Sequence, residues 1–104
     1  MIIQFNTDHN IAGREAFETK ITNLLNDGLS RFSHQMTRIE VHLSDENANK
    51  SGFNDKKCLL EARLEGMNPI VVSDHAQNHE LATKGAIHKL KAAIDSKIGQ
   101  LKNH

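Results

Sequence analysis

KKCLLEARL at Lys56–Leu64, PIVVS at Pro69–Ser73 and AIHKLKAAIDSKIGQL at Ala86–Leu101 decide the fold of this 104-residue chain. In the first stretch Cys58, Leu60, Ala62 and Leu64 alternate with Lys57, Glu61, Arg63 and Glu65, the period of a strand with one buried face. Gly66-Met67-Asn68-Pro69 is a turn signal, and the branched run Ile70-Val71-Val72 behind it reads as a further strand. In the third stretch Ile87, Leu90, Ile94, Ile98 and Leu101 recur at three- and four-residue spacing, which predicts a helix from about Asn78 to Leu101 with Leu81 starting its apolar stripe. Ala82, Ala86 and Ala93 widen that stripe and allow close helix packing.

Working back toward the N-terminus, Arg38–Ser44 alternates as cleanly. Ile39, Val41 and Leu43 are expected to face a core, with Arg38, Glu40 and His42 on the other side. This predicts a strand over Met36–Ser44, and cross-strand pairs of opposite charge are expected to hold the outer face. The polar stretch Asp45–Asp55 between the two alternating strands reads as a mobile hairpin loop. Phe17, Ile21, Leu24, Gly28 and Phe32, broadened by Leu25 and Leu29, predict an amphipathic helix over Arg14–Phe32. Ile2–Phe5 is a short strand, ended by Asn6, Thr7, Asp8, Asn10 and Gly13. The order is β-α-β-β-β-α: an α+β fold with a four-stranded sheet and two helices on one face. Residues 1–104 are expected to form a single domain, a size that supports a core without disulfides or metal.

Composition narrows the function classes. Lysine plus arginine and aspartate plus glutamate number 13 each, so no global polycation is present. The distribution is uneven: Lys84, Lys89, Lys91, Lys97 and Lys102 lie beyond Asn78 against only Glu80 and Asp95, a local positive field. By itself that pattern also describes a solvated helix face. Four Phe with no Trp or Tyr argue against a base-stacking platform on the strands. The single cysteine, the absence of a transmembrane-length apolar run and an N-terminus without a basic and apolar leader pattern fit the cytoplasm.

No catalytic constellation stands out. His75 and His79 at i, i+4 could share a metal on one helical turn, but no third ligand or HExxH pattern accompanies them, and a polar helix start capped by Asp74 or Asn78 is the favoured reading, so no metal site is expected. Cys58 alternates with Leu60 and Ala62 as a small buried side chain does, and His42 belongs to the opposite face. Asp45 and Glu46 do not start a calcium loop, and no glycine-rich phosphate motif occurs. No cofactor or small-molecule substrate is expected, and no enzymatic activity.

Over nearly its whole length the chain resembles the short ribosome-hibernation-promoting factors and ribosome-associated inhibitors of bacteria, the sigma-54 modulation or ribosomal subunit interface protein family. The resemblance is carried by MIIQFNTDHNI, LLNDGLSRF, MTRIEVHLSDEN, KKCLLEARLEG, NPIVVSD and GAIHKLKAAIDSKIGQLK. It implies an architecture like the double-stranded-RNA-binding domain, and a partner, the small ribosomal subunit with its rRNA. Binding near the decoding region would block mRNA and tRNA by steric occupancy. The basic positions that match the family's rRNA contacts are Arg31, Lys84, Lys89, Lys91, Lys97 and Lys102. Lys89 and Lys97 flank the apolar stripe, so their stems are also candidates for packing on the core. The second domain of the long family members is not expected here, so self-sufficient pairing of ribosomes is not expected either. A different class is set by the balanced charge: a protein-interaction module that kept the fold and lost rRNA binding.

Overall fold

In a computed structural model, which describes residues 1–7, 14–45 and 55–102, the elements run β1 (Ile2–Thr7), α1 (Arg14–Gly28), a single 3-10 turn (Ser30–Phe32), β2 (Met36–Asp45), β3 (Lys56–Leu64), β4 (Ile70–Ala76) and α2 (His79–Lys102). The predicted order β-α-β-β-β-α is the observed one. The strands lie side by side in chain order, β1 parallel to β2 and the other neighbours antiparallel. The expected loop over 45–55 falls, apart from its two end residues, outside the described residues, as do the turn residues Asp8, Asn10 and Gly13.

Period-two patterning does what it predicts. Ile39, Val41 and Leu43 pair with Ala62, Leu60 and Cys58, and all six are buried. Ile3 and Phe5 of β1 join them through Ile39 and Val41, and Ile70 and Val72 of β4 through Ala62 and Leu60. Ile21 and Leu25 of α1, with Ala82, Ala86, Leu90 and Ile94 of α2, complete the core from the helix side. Burying an aliphatic side chain of this size contributes about 1.5–3 kcal/mol. Where β2 ends and β3 begins, Lys56 donates to Asp45 at 2.7 Å, a hydrogen bond that raises the pKa of the ammonium.

Several boundaries differ from expectation, each for a local reason. The first helix stops at Gly28 rather than Phe32: Leu29 takes φ −112° and ψ 13°, and the chain tightens so that Phe32 N–H donates to Leu29 at 3.0 Å. Phe32 still reaches the core through that turn. β4 runs three residues beyond Ser73, because Asp74, His75 and Ala76 pair with Cys58, Lys57 and Lys56. The last helix therefore starts at His79, where the Asn78 side chain accepts from Leu81 N–H at 2.8 Å as its N-cap. Leu81 and Leu101, the two ends of the predicted stripe, are exposed.

The outer face of the sheet is also organised differently. Register places Arg38 opposite Arg63 and Glu40 opposite Glu61, like against like, with a register shift between Met36 and Arg38. The compensating contacts are oblique: Arg63 lies 3.3 Å from Glu61 on its own strand and 4.0 Å from Glu40. Alternation tells which face a residue takes, but a register shift decides which residue it meets.

At two glycines a neighbouring side chain occupies the space a Cβ would take. A Cβ at Gly28 would lie 2.7 Å from Ile87 Cγ2, so this glycine lets α1 settle against α2. A Cβ at Gly85 would overlap the Asp74 carboxylate, so α2 sits on β4 because that position has no side chain.

Candidate nucleic-acid interface

Positions 84, 88, 91 and 95 of α2 succeed one another by four, three and four residues, which puts Lys84, His88, Lys91 and Asp95 in one strip along the helix. Opposite this strip the helix buries Ala82, Ala86, Leu90 and Ile94, so the core fixes which way the strip points. Lys84 is exposed and Lys91 half-buried, and neither has an ion-pair partner among the described residues. Two unpaired ammonium groups on one wall give this face its positive potential.

The tight turn after α1 brings Arg31 to the same strip. Its guanidinium donates to Asp95 at 2.9 Å and stacks 4.6 Å from the centre of the Phe32 ring. Both partners are largely exposed, so the pair is worth no more than about 1 kcal/mol. Arg31 is thus held at the strip by a contact that an incoming phosphate can exchange.

The other sequence candidates separate. Lys89 turns to the sheet: its ammonium donates to the Ser73 carbonyl at 2.9 Å and to Asp74 at 3.1 Å, pinning α2 to β4. Lys97 points to another side of the helix, where with Gln100 and Leu101 it lines a shallow pocket against the Gly66–Pro69 turn. Lys102 is the last described residue of α2, and its side chain lies outside the description. The structure thus groups Arg31, Lys84 and Lys91 and sets Lys89 and Lys97 apart. What sequence reasoning missed is Asp95 as the partner of Arg31. The two are 64 residues apart, and no local signal joins them.

The alternative sites fare differently. His75 sits on β4 and His79 on α2, so they do not share a helical turn. His79 instead lies 3.0 Å from the Ser44 carbonyl and edge-on to Phe17, tying the start of α2 to β2 and α1. Cys58 is fully buried; desolvation pushes its pKa up to about 11, against a hydrogen bond with Thr83 that lowers it, so at neutral pH it is a thiol.

The family described as sigma 54 modulation protein / S30EA ribosomal protein matches residues 5–102. The chain belongs to this family. Among solved structures the fold is similar to the N-terminal domain of Protein Y from Thermus thermophilus, with a TM-score of 0.69 at 17% identity over 90% of this chain and 96% of that one. It is similar also to a ribosomal subunit interface protein from Coxiella burnetii, with a TM-score of 0.68 at 14% identity over 95% and 99% of the two chains. No curated protein sequence is a significant match. At such identities the likeness establishes the fold, and the sheet with its two helices is the family's fold. No described helix is long and apolar enough to cross a membrane.

Proposed function

We propose that residues 1–104 act as a single-domain, cytoplasmic hibernation factor that binds the small ribosomal subunit near the decoding region. It would exclude mRNA and tRNA by occupying their channel, without chemistry of its own. The observation that carries this reading is the strip of α2, where Lys84 and Lys91 stand unpaired among the described residues beside Arg31, in a chain of a ribosomal protein family. Ammonium and guanidinium groups on a rigid helix face bind the phosphates of folded rRNA and release their counterions, so affinity falls with salt. With a formal net charge of zero the molecule relies on that local field rather than on its overall charge.

The test is sedimentation of the purified protein with ribosomal subunits through sucrose at low and moderate salt. Binding to the small subunit that weakens with salt is expected. Absence of binding at both salts would dismiss the reading. The neutralisation of Arg31 by Asp95 and of Lys89 by Asp74 favours a second one, a protein-interaction module that kept the fold and lost rRNA binding. A pull-down from nuclease-treated lysate separates them, since a protein partner survives removal of RNA.

A further inference from the structure

The sheet has two outer edges, and the chain treats them differently. Along β4, α2 lies over the strand and Lys89 reaches across to the Ser73 carbonyl and the Asp74 carboxylate. Among the described residues β1 has no such guard. Ile2–Thr7 contains neither a charged residue nor a proline, and among the described residues nothing pairs with its outer side. Ile2 is 66% exposed, while Ile3 and Phe5, although on the helix side, are only half-buried. Ile3 and Phe5 form the floor of an open groove whose wall is the first half of α1, with Glu15, Glu18, Thr19 and Thr22. Soluble proteins normally blunt an edge with charge, proline or a covering element, because a bare edge templates another strand.

We propose that the outer edge of β1 docks an extended protein segment carrying lysine or arginine at alternate positions. Free backbone groups of an edge strand supply the main-chain hydrogen bonds, and the groove beside it receives every second side chain. The apolar floor of Ile3 and Phe5 suits the methylene stem of such a residue, and the wall beside it carries the carboxylates of Glu15 and Glu18. Glu15 has no ion-pair partner among the described residues, and Glu18 is shared with Arg14 at 2.7 Å. On the other face Glu40 accepts from Asn6 of β1 at 3.0 Å. A second copy of this chain fits less well. Two β1 strands side by side would turn the Glu15 and Glu18 walls toward each other, with no cation in either β1 strand to answer them. This surface lies away from the α2 strip, and docking there needs no RNA.

The experiment uses the whole protein with two synthetic eight-residue peptides, one alternating lysine and valine, the other glutamate and valine. Amide exchange of Ile2–Thr7 and the amide NMR shifts of β1 and α1 are followed during titration. The lysine peptide is expected to slow exchange on β1, and E15Q/E18Q to weaken its binding by about threefold to tenfold with the fold unchanged. Equal binding of both peptides, or no change on β1 with either, would overturn the proposal. So would concentration-dependent dimerisation that protects the same amides, since a second copy would then hold the edge.

Discussion

Gly85→Ala should destabilise this protein although it replaces glycine by the best helix former inside a long helix. In an ordinary helix interior the change stabilises by about 1 kcal/mol. Here the new Cβ would overlap one carboxylate oxygen of Asp74 and stand 2.8 Å from its Cγ. Moving the side chain aside strains its 3.1 Å contact with Lys89. Inserting a methyl group into a closed contact costs about 1–3 kcal/mol. The Lys89 pair adds less than about 1 kcal/mol, since both side chains are partly solvated. The steric cost offsets the propensity gain and at its upper end exceeds it, leaving a net loss of up to about 3 kcal/mol and a melting temperature lower by up to roughly 15 °C. Urea unfolding followed by circular dichroism measures it, with an unchanged slope expected. In an Asp74→Ala background only the Cβ of residue 74 remains, 3.3 Å away, and Gly85→Ala should be close to neutral or stabilising. An identical effect in both backgrounds would refute the steric argument.

Three further outcomes follow from the strip and the core. Lys84→Glu combined with Lys91→Glu should keep the melting temperature within a few degrees and abolish co-sedimentation with small subunits; retained binding removes α2 from the contact surface. Asp95→Asn, which releases Arg31, should tighten salt-sensitive binding by about two- to fivefold, read from the same gradients or by filter binding; weaker binding would mean that Asp95 holds Arg31 in its working position. The Cys58 thiol should make stability fall as pH rises. Its folded pKa of about 11 lies above the ordinary value of 9.0 for a free thiol, so the unfolded chain loses this proton first. The contribution is complete below pH 9 and declines toward pH 11, by on the order of 2 kcal/mol, and Cys58→Ala should flatten that part of the unfolding profile.

The parts of the fold written in short periods could be read directly. Ile39, Val41 and Leu43 against Cys58, Leu60 and Ala62 needed only alternation, and the buried positions of α2 needed only helical spacing. Boundaries were less legible where polar residues fit either state. Asp74-His75-Ala76 carries no strand pattern of its own, and it is extended because β3 offers it partners. That one extension removed the apparent histidine pair from a helix and left Asn78, of the two cap candidates Asp74 and Asn78, as the N-cap. For the candidate site, helical spacing located Lys84 and Lys91, but the fates of the other cations were tertiary facts. Lys89 looks like any surface lysine in sequence, yet an aspartate two strand positions past Val72 takes its charge. Arg31 reaches the strip only because the helix breaks at Gly28 and tightens afterwards.

The parallel pairing of β1 with β2 bears on how the chain is built. β2, β3 and β4 join through antiparallel neighbours, and each can pair as soon as the next has been made. β1 is different: its partner begins at Met36, on the far side of α1, so this pairing must close a long loop before any contact rewards it. The first strand to leave the ribosome during synthesis therefore waits, unpaired and rich in exposed isoleucine, until β2 has followed it.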